Sequence, residues 1–307
     1  MTAYFNRSYK LEIVTPLGEN FVIQKHSNTE GIDTTLNISF DVVKDLTEIP
    51  NPGQFRLYNA SPDVRTALET PETYIQFVCG YQDVTPLIFK GVIVAAWTEF
   101  NGVDIITNFD AMDGYLEWRD SVSTISLPAG TTAKAILDRA AKGMNLPIRY
   151  PANMPEHKFA RGFAYYGAAR EVLVRVCKAV GLSYSIQNSV IQINNLEWNP
   201  QNSGITFDAG SGLIGSPERM RNAAYQSARV KDEITGKKVS VKTAQNKVDG
   251  WRIQSYLRGE LLPGDYFGVT SRVTEFKNGK TLKASKVRFV GEYDSDAWFT
   301  YAECDER

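Results

Sequence analysis

The chain has little of what metal sites and redox chemistry are built from. Only two histidines, His26 and His157, and three cysteines, Cys79, Cys177 and Cys304, occur in 307 residues, and no CxxC pair is present. A Cys/His zinc site is excluded at that spacing, and so is a disulfide framework; the expected state is three reduced thiols, two of them packed as small hydrophobes in a strand and a helix. A Cys177–His157 catalytic pair would need the fold to bring together residues that the sequence keeps apart. Long apolar runs are missing too. The longest, Gly91 to Trp97, falls far short of the ~20 residues a membrane-spanning helix needs. Met1 to Ser8 lacks the charged-then-apolar layout of a signal peptide, so no membrane insertion and assembly in a cytoplasm are expected. An excess of positive charge is likewise absent. Lys+Arg 34 against Asp+Glu 35 leaves a net charge of −1, which excludes a strongly basic nucleic-acid or membrane-surface binder and leaves only loose or transient contact with DNA.

What is present suffices for a sizeable core. The chain is 43% hydrophobic and 22% charged, and its length exceeds the usual single domain, so two or three cores are expected. Short alternating segments open the chain: Tyr9 to Val14, Asn20 to Gln24 and Leu36 to Val42, separated by turn signals at Thr15–Gly18 and Thr29–Gly31. Gln54 to Tyr58 continues the meander. Pro62 to Leu68 reads as a helix capped by Ser61, and Thr73 to Gly80 as a strand. Leu87 to Phe100 and Val103 to Met112 flank Asn101-Gly102, a type I′ hairpin signal. About seven strands and one helix imply a small barrel or sandwich over residues 1–112.

Leu116 to Leu127 reads as one more strand, after which the period becomes helical. Ala135, Ile136, Leu137, Ala140 and Ala141 share a face, and Ala168 to Val180 repeats the pattern. Leu137, Arg139, Lys142 and Leu146 match Leu173, Arg175, Lys178 and Leu182 at an offset of 36 residues. An internal duplication and a chance similarity of two amphipathic helices both explain that. Asn188-Ser189 closes Leu182–Gln187 on Val190–Asn194 as a hairpin, and Asn199 to Gly204 reads as a linker. The division expected is a first β-barrel over 1–112, a discontinuous second β-barrel over 113–129 and 197–307, and an inserted α/β module over 130–196. The fold class is mainly β (α+β).

Three stretches anchor the last third. Gly210 to Arg221 contains G-x-G-x-x-G at Gly210, Gly212 and Gly215, yet lacks the buried parallel strand and βαβ unit that a dinucleotide fingerprint requires. A glycine-permitted loop is the better reading. Pro263-Gly264 reads as a type II turn launching a strand, Pro presetting φ and Gly accepting φ > 0. Lys286 to Thr300 reads as a hairpin around Asp294-Ser295-Asp296, with Trp298 in the core. Asp110 with Asp113, and Glu292 with Asp294 and Asp296, could be cast as a glycosidase pair or a calcium loop; solvated turns are the default, because the EF-hand pattern is absent. Phe163, Tyr165 and Tyr166 could form a binding strip, and a strand packed on the two helices explains them at least as well. No catalytic pair, cofactor site or metal site is expected.

Those anchors carry a resemblance. The order Gly212-Leu213-Ile214-Gly215-Ser216-Pro217, then Pro263-Gly264-Asp265, then Val287, Gly291, Trp298 and Thr300, resembles the C-terminal part of baseplate hub proteins of tailed phages of the contractile-tailed kind, the late control protein D-like group. This chain has Gly291-Glu292 where such hubs often show Gly-Asp. The resemblance implies tail-tube-like barrels and a homotrimeric ring of pseudo-six-fold symmetry between a tail tube protein and a central spike protein. Tape measure and baseplate wedge proteins would be further neighbours, and DNA would pass through the channel in transit. It implies a structural virion protein, not an enzyme, with Gly212, Leu213, Gly215, Pro217, Pro263, Gly264, Gly291, Trp298 and Thr300 as structural motif residues. Two other readings stand beside it, a peptidoglycan-binding or wall-degrading tail module and a soluble protein binding a small ligand at the glycine loop.

Overall fold

The structure, a computed structural model, describes residues 6–25, 35–82, 85–151, 153–195, 202–221, 229–231, 238–240 and 249–305. The chain is mainly β, with two barrel-like β regions and an inserted α/β module. The first region holds β1 (Arg7–Val14), β2 (Asn20–Gln24), β3 (Ile38–Asp45), β4 (Pro52–Tyr58), α1 (Pro62–Glu69), β5 (Tyr74–Tyr81), β6 (Leu87–Asn101) and β7 (Asp104–Met112). Next come α2 (Tyr115–Asp120), β8 (Val122–Leu127), β9 (Thr131–Thr132), α3 (Ala133–Met144), β10 (Ile148–Arg149), β11 (Lys158–Phe159), β12 (Phe163–Ala168), α4 (Ala169–Ala179), β13 (Leu182–Gln187) and β14 (Val190–Asn195). The last region holds β15 (Asn202–Phe207), β16 (Leu213–Arg221), β17 (Arg229–Lys231), β18 (Lys238–Ser240), β19 (Asp249–Tyr256), β20 (Tyr266–Val269), β21 (Lys280–Glu292) and β22 (Trp298–Asp305).

The two β regions are one sheet of 13 strands, in the order β16-β19-β22-β21-β3-β4-β7-β6-β5-β1-β2, with β20 and β15 branching from β21. β21 makes the join. Its first part, Lys280 to Lys283, pairs with β20; its last, Lys286 to Glu292, pairs with β3; β22 runs along the other edge. Side chains alternate, as a pleated strand demands. On β3, Ile38, Phe40, Val42 and Lys44 turn inward while Ser39, Asp41, Val43 and Asp45 turn out. One hydrophobic cluster therefore runs through both regions and includes Phe40, Phe55, Phe77, Phe109, Phe207, Phe289 and Trp298. Side chains of β1 close the first region on itself and tie it to the last. The Tyr9 hydroxyl of β1 donates to the Leu36 carbonyl, and the Arg7 guanidinium donates to the carbonyls of Glu292, Tyr293, Ser295 and Asp296 in the β21–β22 turn.

The module has its own core. Ile136, Leu137, Ala140 and Met144 of α3 pack with Val172, Leu173, Val176 and Cys177 of α4 and with Tyr184, Ile186, Ile191 and Ile193 of the β13–β14 hairpin. α3 carries caps at both ends: the Thr132 hydroxyl accepts from the Ala135 amide at 3.2 Å, and Asn145 ends the helix at φ 54°. The positions matched at a 36-residue offset share their environment, since Leu137, Leu146, Leu173 and Leu182 are buried while Arg139, Lys142, Arg175 and Lys178 are exposed.

Several expectations require correction. Leu116 to Leu127 is not one strand, because α2 covers its start and only β8 is extended; Leu116 and Trp118 alternate as a strand would, but the chain enters this turn through Gly114 at φ 61°. β8 pairs with β12, and Ile125 lies in the module's core, so this segment contributes nothing to the large sheet. The β6–β7 hairpin forms as expected with its turn one residue later: Asn101 pairs with Asp104, leaving Gly102-Val103 at the tip and Gly102 at φ 63°. Of the linker read at Asn199 to Gly204, Asn202–Gly204 belongs to β15, which pairs in parallel with β20, and 199–201 lie outside the described residues. The turn read at Thr29–Gly31 lies outside them too. Phe163 and Tyr165 pack against the module's core and Tyr166 points outward from the β8–β12 ribbon.

The tightest point of the shared core lies at Gly291, paired directly with Trp298 on β22 and with Phe40 on β3. A Cβ there would lie 2.5 Å from Phe40 and 2.6 Å from Trp298 ring carbons, whose centroids are 5.1 Å apart in an edge-to-face pair. Overpacking of this kind costs about 1–3 kcal/mol. Gly291→Ala is expected to lose that much stability, read as a lower denaturation midpoint at unchanged m-value. An unchanged midpoint would show that the ring pair can yield.

Candidate functional site

From β16 to β6 the sheet runs for eight consecutive strands, β16-β19-β22-β21-β3-β4-β7-β6, with one face on the core and the other open. Cross-strand register builds a row of alternating charge across that open face. Glu218 on β16 stands opposite Arg252 on β19, Arg252 opposite Glu303 on β22, Glu303 opposite Lys286 on β21, and Lys286 opposite Asp45 on β3. Directly opposed side chains lie close enough to interact. Arg252 donates to Glu303 at 3.0 Å, and one strand pair further along Arg288 grips Asp41 through both fork nitrogens, Nε at 2.8 Å. Two open concavities lie side by side here. One of 570 Å3 is lined by Glu218, Arg252, Lys286, Arg288, Tyr301 and Glu303; the other, of 480 Å3, is lined by Asp41, Gln54, Asp110, Lys286 and Arg288. No module residue lines either.

Both ends of the eight-strand run are open edges among the described residues. Beyond Ile93 the outer edge of β6 pairs with no strand, and Val94, Trp97, Phe100 and, in the turn, Val103 are exposed there, Phe100 at 75%. Glu69, Glu99 and Asp104 surround them. At the opposite end β16 pairs only with β19 and carries the exposed Arg219. The charge follows the ends: residues 1–112 contain 14 Asp and Glu against 7 Lys and Arg, and residues 196–307 contain 15 against 17.

A second polar arrangement joins the module to the sheet. Asn188 and Ser189 form the tip of the β13–β14 hairpin at φ 53° and 62°. Their amides both donate to the buried Asp113 carboxylate, from Ser189 at 2.6 Å. The Asn188 side chain accepts from the buried Lys44 ammonium at 2.7 Å and donates to the Leu87 carbonyl at 3.2 Å. Asn51 donates to the Ile186 carbonyl at 2.7 Å, and the Gln187 amide donates to the Asp45 carbonyl at 2.6 Å. Burial pushes the Asp113 carboxyl up to about 6 against the opposing pull of Lys44 and of the Ser189 and Asn188 hydrogen bonds; burial brings Lys44 down to about 8, opposed by Asp113.

No protein-family model matches the chain, and no curated protein matches its sequence. Solved structures do match in fold. The tail protein from Neisseria meningitidis MC58 superposes with TM-score 0.61 at 10% identity, over 98% of this chain and 97% of that one. The 43 kDa tail protein of prophage MuSo2 from Shewanella oneidensis gives 0.62 at 9%, over 97% of each. An E. coli component of the type VI secretion system, described as structurally similar to T4 bacteriophage tail proteins gp27 and gp5, gives 0.52 at 12%, over 92% and 77%. The fold is that of phage tail proteins.

Within this tail-protein fold the residues singled out in the sequence fall into three sets. Gly291, Trp298 and Thr300 meet in the shared core; Trp298 is 1% exposed, and the Thr300 hydroxyl accepts from the Arg258 amide at 2.8 Å. Pro263 and Gly264 form the type II turn, with the Asp265 amide donating to Leu262 O at 3.1 Å and Gly264 at φ 94°. Gly212, Leu213, Gly215 and Pro217 enter β16, whose register shifts between Ile214 and Glu218. The glycine loop is not a phosphate cradle. The Asp208 carboxylate already accepts from the Gly210 and Ser211 amides, both at 2.7 Å, which holds it below the usual carboxylate range, and a strand rather than a helix follows.

The tempting catalytic sets do not assemble. Cys177 is buried in α4 with its thiol pushed up to about 12 by burial, while His157 is exposed and stacks edge-on with Phe159 at 5.0 Å. Asp110 lies on the open sheet face and Asp113 in the buried junction, and Glu292 accepts from Asn37 at 3.5 Å near the β21–β22 turn. Sequence reasoning missed the charge row and the Lys44–Asp113 junction. Register decides the first, and the docking of a distant hairpin decides the second.

The junction generates a pH dependence with a definite sign. Asp113 has a folded-state value near 6, above its ordinary 3.8, so the stability tied to its protonated form is complete below about 4 and is lost as pH rises through 6. Lys44 runs the other way, its contribution present above about 10.5 and lost as pH falls through 8. Between pH 4 and 7 the unfolding free energy is expected to fall by on the order of 2 kcal/mol on account of Asp113. Denaturant titrations across that range should show this slope in the native protein and not in Asp113→Asn. Equal slopes in both would mean that burial does not raise the Asp113 carboxyl in the folded protein.

Proposed function

We propose that the chain is a structural component of a phage-type tail, a baseplate hub whose three copies close into a ring joining a tail tube protein to a central spike protein around a channel for the genome. The observation that carries this reading is the eight-strand sheet with a polar open face and, among the described residues, an open edge at each end. Open edges of this length are managed in natural proteins by covering or pairing them. Pairing the β6 edge of one copy with the β16 edge of the next is a heterologous contact that closes a ring without leaving an edge over. The ends are fitted for unlike pairing, since the β6 end is acidic and apolar and the β16 end carries Arg219 within a region of balanced to basic charge. The open face then turns toward the axis, hydrophilic and without net positive charge. The fold shared with phage tail proteins and with a type VI secretion component supports the same setting. The number three comes from the resemblance to hub proteins, as does the placement between tube and spike. In this reading the protein belongs to the virion, passes DNA in transit and catalyses no reaction.

Native mass spectrometry at near-physiological salt tests the ring. The expected mass is three times the 34.3 kDa chain. Phe100→Asp, at an exposed position of the β6 edge, is expected to weaken association at least tenfold, roughly 1.4 kcal/mol, at unchanged melting temperature. A chain that stays monomeric with its tube and spike proteins added would sink the proposal.

A further inference from the structure

The open face of the sheet carries enough cations to hold a nucleic acid, yet each has an acid beside it on a neighbouring strand. Arg252 lies between Glu218 and Glu303 in register, and Lys286 between Glu303 and Asp45. Arg288 is held at both fork nitrogens by Asp41. The cationic side chains remain reachable: Arg252 and Arg288 are each 50% exposed, beside Glu303 at 35% and Asp41 at 31%. A guanidinium engaged by a carboxylate has already filled the geometry with which it would grip a phosphate, since both are planar two-oxygen partners. Glu303 accepts from Arg252 and stands opposite Lys286 in register, and Asp41 closes the fork of Arg288. These two carboxylates therefore decide whether the two guanidiniums face the open side with free donors beside Lys286. Exposed pairs of this kind add little to stability, so the fold gives no strong reason for them.

We propose that Glu303 and Asp41 mask Arg252 and Arg288 and offset the charge of Lys286 beside them, so that this face lets a phosphodiester polymer slide past instead of binding it. The inference rests on the channel reading above and names the property that lets a genome move through such a lining. Binding of a polyanion to three unmasked cations would release their phosphates' counterions, and each phosphate contact adds about 0.9 to the salt exponent on duplex DNA. Masking removes that term without removing the cations, whose attraction to the flanking acids keeps the face hydrophilic and close to neutral.

Fluorescence anisotropy with a labelled mixed-sequence DNA duplex tests it, the readout being the difference between variant and native chain. Asp41→Asn/Glu303→Gln is expected to bind at least tenfold tighter than the native protein at low salt, the gain vanishing with a log–log salt slope of roughly −2 to −3. Asp63→Asn/Glu156→Gln changes net charge equally at exposed positions away from this face, and is expected to gain little. Adding Arg288→Gln to the first pair should reverse part of its gain. Equal gains in both pairs would show that net charge alone acts, and a double variant with the native melting temperature and no gain would overturn the masking. Should the double variant fail to fold, the single changes Glu303→Gln and Asp41→Asn are read by the same criteria. Oligomeric state is recorded separately in each sample. A gain seen in a chain that forms no ring would refute the hub reading while leaving the masking in place.

Discussion

One strand holds the molecule together. β21 spends its first residues on β20 and its last on β3 while β22 follows its other edge from Lys283 to Gly291. Two β regions separated by residues 113–201 of the chain thereby become one sheet with one core, and neither can bury its share of apolar surface without the other. The cost of closing such a long loop grows only slowly with its length, so the intervening module is tolerated. The join constrains its neighbours most at Gly291, where β3 and β22 both come close and the rings of Phe40 and Trp298 fill the space a side chain would take. Burial of a residue as large as Trp298 there contributes several kcal/mol.

The same pairing phases the open face. Because side chains alternate, Val287 and Phe289 turn to the core only if Lys286 and Arg288 turn away from it, and a slip by one residue would bury both cations. Two irregularities fix the phase, one between Ala284 and Lys286 and one between Ile214 and Glu218. Bulges of this sort re-aim side chains at chosen points in a sheet. Charge alternation across five strands is thus a consequence of register, which explains how a chain of almost zero net charge presents Arg252, Lys286 and Arg288 on one face without a positive field.

Much of this was legible in the sequence, for identifiable reasons. Period-two alternation located nearly every strand of the first region, and Pro263-Gly264 gave its turn, because these signals are local. Ser61 gave the start of α1 by capping chemistry. The stretch from Leu116 failed because Leu116 and Trp118 fit both periods over six residues, and only the left-handed entry at Gly114 decides between them. The pairing of β21 with β3 could not be read at all, since nothing local to Lys286–Glu292 names a partner some 240 residues earlier in the chain. The charge row inherits that blindness. Its members become neighbours only once the register is set.

The junction between module and sheet shows why the open face stays open. The two hydrophobic clusters have no residue in common, so contact between the bodies draws on polar groups: Lys44, Asp113, Asn51 and the hairpin residues 187–189, with Gln192 donating to the Pro263 carbonyl at 3.2 Å. Buried polar groups are costly unless each finds its partner, and a network of this kind is satisfied in one relative orientation where an apolar contact would accept several. Lys44 belongs to the inward set of β3, with Ile38, Phe40 and Val42. The module therefore docks from the core side at the end of the strand, and no residue of it lines the concavities on the outer face. A body fixed by directional bonds on one side leaves the other side of the sheet to the charges that alternate across it.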